Sequence, residues 1–258
     1  MSIKSFIQYG KEVKAMGLNF LYRLMTIVLS PLLIVQAMYV RRTTPSLPEA
    51  KGLRDGISGV GNRTSVLIVG DSSAAGVGVA TQDQALMGRL VAELGLTHQV
   101  SWQLLAKTGV TSVKVLERLR VSPKQTVDYV LLSIGVNDVT SLTKPEESVE
   151  NLRLIIKLLK TEFNIHHIVV SKVPLMHLFP ALPQPLRWWL GRKANKLNEC
   201  FNILIDNDKQ CTLLDIQFPI QNNYIIAEDG FHPGACAYAL WGRHVAKIIQ
   251  KDLSERIC

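Results

Sequence analysis

Residues 64–76 read Thr-Ser-Val-Leu-Ile-Val-Gly-Asp-Ser-Ser-Ala-Ala-Gly, and the change of character inside this stretch decides the fold. Thr64–Val69 is short, apolar and rich in β-branched side chains, which is the composition of a strand. Gly70 ends the run. Asp71, Ser72 and Ser73 then occupy a turn leaving the strand's carboxyl end. Downstream, Thr81–Leu94 carries Leu86, Leu90 and Leu94 at helical spacing, with Thr81 and Gln84 set as a capping box. A strand followed at once by a helix is the opening of an α/β unit.

The same alternation repeats along the chain. Val100–Leu105 reads as a second strand, followed by a short helix near Ser112–Leu119. Tyr129–Ile134 is continuously apolar, as expected of a strand covered on both faces. Thr143-Lys-Pro-Glu146 caps a helix with Val149, Leu152, Ile156 and Leu159 on one side. His167–Val173 and Thr212–Ile216 read as strands four and five, and helices are expected near Pro185–Ile205 and Pro233–Leu253. Strands alternating with helices predict a mostly parallel sheet, which binds ligands at the carboxyl ends of its strands.

Four polar clusters fall at such positions. Gly70–Gly76 follows the first strand; a serine there can be exposed on a tight turn with backbone N–H groups facing the same space. Lys107-Thr-Gly-Val-Thr111 follows the second, where Gly109 permits close backbone approach. Gly135-Val-Asn-Asp138 follows the third. Asp229-Gly-Phe-His-Pro-Gly234 precedes the last helix, with Pro233 in its first turn. Taken singly, each could be a turn with local hydrogen bonds and nothing more. Their joint placement at strand ends argues for a built site.

In these four blocks the chain resembles the SGNH, or GDSL, hydrolases over about residues 62–252. The resemblance implies a three-layer α/β/α sandwich around a five-stranded parallel, flavodoxin-like sheet. It implies Ser72 as nucleophile, Asp229 and His232 as its partners, and an oxyanion hole from Ser72, Gly109 and Asn137. Ser73 is adjacent, and only the family pattern selects Ser72. The residue types suit the chemistry, because a hydroxyl needs a base such as His232 to become nucleophilic, and Asp229 would orient that imidazole. The G-x-S-x-G elbow of α/β-hydrolases is absent around Ser72. Asp71 and Asp138 are read as turn stabilisers. His98, His166, His167, His177 and His244 lack a comparable Asp-x-x-His motif and are read as structural. Cys200, Cys211, Cys236 and Cys258 show no C-x-x-C spacing, and H-E-x-x-H is missing, so no cofactor and no metal are expected.

Composition bounds the rest. The 258 residues are 47% hydrophobic, 19% charged and 7% aromatic, without low-complexity tracts or internal repeats, which excludes disorder, solenoids and propellers. Of the +8 charge, +6 lies in residues 1–54, so the body is nearly neutral and lacks the basic face that nucleic acid requires. That basic segment brackets Leu24–Val40, 17 residues without a charge, about 26 Å as a helix. With Gly17 as its upstream limit, residues 17–42 are the expected membrane contact. A transmembrane or deeply embedded anchor is the leading reading, with a cleaved signal peptide ending near Val35-Gln-Ala37 and a helix packed on the body as the alternatives. Similar charge on both flanks leaves the side of the membrane unassigned.

The organisation expected is therefore an anchor at 1–45, a linker at 46–61 and a hydrolase domain at 62–258. The leading function is a membrane-associated serine esterase or lipase acting on lipid or small acyl esters. A carbohydrate O-acetyl esterase and a non-catalytic acyl- or glycan-binding module are the alternatives. Phe179–Leu190, with Trp188 and Trp189, either lines an acyl pocket, touches a bilayer or covers the sheet.

Overall fold

The computed structural model describes residues 3–256 apart from 142, 217 and 219–224, with side chains from position 22 onward except at 23. In chain order the regular elements are α1 (Ile3–Thr43), β1 (Asp55–Ser58), β2 (Asn62–Gly70), α2 (Leu86–Leu94), β3 (His98–Ala106), α3 (Ser112–Val121), β4 (Tyr129–Ser133), α4 (Val136–Thr140), α5 (Pro145–Glu162), β5 (His167–Ser171), α6 (Leu186–Ile205), β6 (Cys211–Leu214) and α7 (Ala235–Glu255).

The sheet runs β1-β3-β2-β4-β5-β6. The last five of these strands in chain order are parallel, in the flavodoxin-like arrangement, and the topological switch lies at β2, flanked by β3 and β4. Alternate residues of each strand face opposite layers. Leu67, Val69, Val130, Leu132, Ile168 and Val170 pack under α3, α5 and α6. Val66, Ile68, Tyr129, Leu131 and Val169 pack under α2 and α7. This two-sided burial explains why these strands are continuously apolar.

Among the described residues the sheet has six strands, one more than expected. The extra strand, β1, pairs antiparallel with β3 at the edge. Its sequence, Asp-Gly-Ile-Ser, has no apolar alternation, and Ile57 is exposed; only backbone pairing makes it a strand. Asp55–Ser58, within the segment expected as a linker, thus pairs into the sheet. Three helix starts also differ from expectation. Gln82–Gln84 forms a 3-10 turn and α2 begins at Leu86, without a side-chain cap from Thr81. The cause is Gln82, which is buried and donates through Nε2 to the carbonyls of Ala50 and Ala75. α5 starts at Pro145 behind Lys144, while Thr143 pairs with Ser141 instead. Pro233 stands before the Gly234 cap of α7, outside its first turn.

α1 continues through Pro31. Proline cannot donate to the carbonyl four residues back, and the Ser30 hydroxyl bonds that Ile27 carbonyl instead, at 2.8 Å. One stripe of α1 rests on the domain, with Leu33 buried and Leu29 and Val40 packed against the α6 side of the core. The rest of Leu24–Thr43 is largely exposed although long and apolar enough to cross a membrane.

Candidate active site

The Ser72 turn is held by its own backbone and by the neighbouring strand. Asp71 N–H donates to the Ser133 carbonyl of β4, and the N–H groups of Ala75 and Val77 close back on Asp71 and Ser72. Gly70 is required here, because a Cβ would lie 2.4 Å from the Ser133 oxygen. From the other layer, the Tyr238 hydroxyl of α7 donates to the Val77 carbonyl at 2.7 Å. Ser72 is thereby fixed at the carboxyl end of the switch strand.

Asp229 and His232 sit on a turn closed by Ala227 N–H to the His232 carbonyl and by Gly234 N–H to the Ile225 carbonyl. Asp229 Oδ1 accepts from the N–H groups of Phe231 and His232, both at 2.9 Å. Its Oδ2 lies 2.5 Å from His232 Nδ1, and His232 Nε2 lies 2.8 Å from Ser72 Oγ. Burial alone would raise the Asp229 pKa, but the bonds from His232 and Phe231 outweigh it and hold the carboxyl below its ordinary value. Three residues separated by up to 160 positions thus form one hydrogen-bonded line. The imidazole contact falls on Ser72, which separates it from Ser73.

Asn137 enters from α4, whose cap Gly135 adopts φ 111°. Its Nδ2 donates to the Val110 carbonyl at 3.0 Å and reaches Asp71 Oδ2 at 3.4 Å. Gly109, adjacent to that carbonyl, has φ +78°, and among the described residues a side chain built there would meet nothing within 4 Å. Asn137 therefore joins the Ser72 turn through Asp71, and Gly109 joins it through Val110. Asp71 is fully buried, and desolvation pushes its pKa up to about 7, against the lowering influence of Ser73 N–H and His232.

Asp138 is buried and bonded to neighbouring helices. Its carboxylate accepts from the N–H and hydroxyl of Ser112 and from the Ser148 hydroxyl, tying α3, α4 and α5 together. Elsewhere, His166 meets Asp252 at 2.8 Å, His167 meets the Thr212 hydroxyl, and neither lines the cavity beside Ser72. Cys200, Cys211 and Cys236 are free thiols; Cys258 lies outside the described residues. Among the described residues no group of three His, Cys, Asp or Glu side chains could hold a metal.

A cavity of about 800 Å³ opens beside Ser72 and His232. Val173, Leu175, Phe179, Leu214, Ile225 and Trp241 contribute apolar wall, and the Lys172–Asp215 pair contributes charge. Phe179 meets Phe231 edge-on at 5.0 Å, so the loop before α6 closes one side. Trp188 and Trp189 are not in the wall. Trp188 packs against Tyr22 of α1, and Trp189 joins the core beneath Lys193.

Sequence reading missed Glu49 and Arg54, which hold the site from outside it. Glu49 Oε1 accepts from both the N–H and hydroxyl of Thr108, while Arg54 joins Glu49 and the Ala106 carbonyl. Nothing local marks these residues, because the Glu49 partner lies 59 positions away.

Residues 68–240 match the family model described as the GDSL-like Lipase/Acylhydrolase family. No curated protein matches the sequence significantly. Solved structures share the fold. The lipase/acylhydrolase from Enterococcus faecalis superposes with a TM-score of 0.53 at 20% identity, covering 73% of this chain and 96% of its own. The psychrotrophic esterase EstA from Pseudoalteromonas sp., inhibited by monoethylphosphonate, gives 0.54 at 19% identity, covering 74% and 99%. An acetylxylan esterase from Geobacillus stearothermophilus gives 0.51 at 16% identity, covering 72% and 94%.

Proposed function

This chain belongs to the GDSL-like lipase/acylhydrolase family, and from that premise we propose that it is a serine esterase using Ser72, His232 and Asp229. The observation that carries the reading is the line from Asp229 Oδ2 through His232 to Ser72 Oγ, with contacts of 2.5 and 2.8 Å. His232 Nε2 takes the hydroxyl proton as Ser72 Oγ bonds to the ester carbonyl carbon. Asp229 keeps Nδ1 protonated and stabilises the imidazolium. The carbonyl oxygen gains negative charge and is received by the N–H groups of Ser72 and Gly109 and by the Asn137 amide. For Asn137, the donor hydrogen is the one now spent on the long 3.4 Å contact to Asp71, the weaker of its two bonds. The intermediate collapses as the carbon–oxygen ester bond breaks and His232 protonates the departing alcohol. Water activated by His232 then hydrolyses the acyl-enzyme, releasing the acid and restoring Ser72.

The cavity supports an ester with an extended apolar acyl group. A space of about 800 Å³ walled by Val173, Leu175, Phe179, Leu214, Ile225 and Trp241 is far larger than an acetyl group fills. The exposed apolar faces of α1 support a hydrophobic membrane anchor, since surfaces of that kind are covered in functional proteins. Turnover of a p-nitrophenyl ester series tests the substrate class. kcat/KM is expected to rise from acetate toward longer chains. A sharp optimum at acetate would favour the O-acetyl esterase reading instead.

A further inference from the structure

α1 is apolar on two opposite faces, and the domain covers one of them. The inner stripe is Tyr22, Thr26, Leu29, Leu33, Gln36 and Val40, spaced four and three residues apart, the spacing of a helix seam. Leu33 is buried in the core. Gln36 bridges the start of α6, donating from Nε2 to the Gln184 carbonyl at 2.7 Å and accepting through Oε1 from Leu186 N–H at 3.0 Å. That N–H is one of the donors a helix start leaves without an internal partner. At the other end of the stripe, the Tyr22 ring meets Trp188 edge-on at 5.7 Å, and the Arg192 guanidinium lies 5.0 Å over it.

The opposite face holds Leu24, Ile27, Val28, Ile34, Val35 and Met38, all exposed, with Ile27 at 69% and Val28 at 68%. A helix lying on a soluble domain presents polar side chains outward; this one presents hydrocarbon. In sequence the apolar stretch is flanked by net positive charge, from Arg41 and Arg42 on the carboxyl side and from Lys4, Lys11, Lys14 and Arg23 against Glu12 on the amino side. An apolar stretch with cationic flanks matches acyl chains beneath anionic headgroups.

Crossing and docking are incompatible. From Tyr22 to Val40 the helix rises about 27 Å, nearly the hydrocarbon thickness. If that length stood across a bilayer while packed on α6, Arg187, Arg192 and Lys193 would be drawn into the acyl region, where charge is strongly disfavoured. If α1 left α6, the Gln36 amide and both its backbone partners would lose their bonds.

We propose that α1 seats the protein on one leaflet of an anionic membrane without crossing it, its Leu24–Met38 outer face among the acyl chains and its inner stripe on α6. This rests on the membrane-anchor reading and adds the topology. The test uses the full chain with epitope tags at both termini, in sealed membrane vesicles prepared in each orientation and exposed to protease. Both tags are expected to be digested together in one preparation and protected together in the other. Digestion of the two tags in opposite preparations overturns the in-plane topology while leaving the anchor standing. Recovery of the chain in the soluble fraction overturns both. The double variant Val28→Glu/Ile34→Glu is expected to move the protein from the membrane to the soluble fraction. Its turnover of a water-soluble ester should stay within about twofold, which reports that the domain is folded. A folded variant that stays with the membrane overturns the outer face as the contact.

Discussion

Glu49 Oε1 accepts two hydrogen bonds from Thr108, 2.7 Å from its N–H and 2.8 Å from its hydroxyl, so a residue ahead of the parallel strands clamps the loop that carries Gly109. Burial alone would raise the Glu49 pKa, but Thr108 and Arg54 outweigh it and keep the carboxyl below its ordinary value. The clamp therefore stays charged at neutral pH. Glu49→Ala should lower kcat roughly tenfold or more with little change in KM, because small displacements of reacting groups cost rate steeply. Glu49→Gln keeps an acceptor for Thr108 and should retain more activity than the alanine variant. Equal kcat in wild type and Glu49→Ala would remove the clamp from the account.

Asn137→Ala should reduce kcat by about 10²–10³, the usual effect of losing one oxyanion donor. Reaction with a phosphonate inhibitor, whose anionic oxygen occupies the same position, should slow in parallel. A drop in turnover with unchanged phosphonate reactivity would place Asn137 elsewhere in the reaction.

Asp71 sets a pH dependence of stability. Its folded pKa of about 7 lies above the roughly 3.9 of an unfolded aspartate. Between those values the native state holds the extra proton, so this group's contribution is full below pH 4 and is lost as pH rises through 7. Asp71→Asn removes the penalty of a buried charge. Its stability relative to wild type, read from Tm, should therefore improve between pH 5 and pH 8 by the equivalent of roughly 3 kcal/mol, about 1.4 kcal/mol for each of the two pH units below the folded pKa. Parallel Tm curves for the two proteins would show that Asp71 does not titrate in this range.

The free thiols should separate by reactivity. Burial, reinforced by the nearby Asp208 charge, pushes Cys211 up to about 12, whereas Cys236 is exposed at the start of α7. Iodoacetamide at pH 8 should modify Cys236 in the native protein and Cys211 only after denaturation. Modification of native Cys211 at a comparable rate would contradict its burial.

Sequence patterns carried the parallel strands because burial on both faces writes a continuous apolar run, as in Tyr129–Ser133. Compact motifs at strand ends and before a helix marked Ser72, Asn137, Asp229 and His232 as polar clusters, and the family resemblance, not the local pattern, distinguished Ser72 from Ser73. β1 was illegible, since four residues paired only through backbone leave no side-chain period. Gln36 and Glu49 were illegible because their partners lie far along the chain. At Thr81 the local signal was present and lost to tertiary structure, as Gln82 turned inward to the Ala50 and Ala75 carbonyls.

The central claim is that Ser72 is the nucleophile, and active-site labelling tests it most directly. A fluorophosphonate probe applied to the native protein should form one adduct, mapped by mass spectrometry to Ser72. Labelling should disappear in Ser72→Ala and in His232→Ala, and Ser72→Ala should keep the wild-type Tm within a few degrees while losing ester turnover. An adduct on Ser73, or undiminished turnover in Ser72→Ala, would contradict the account.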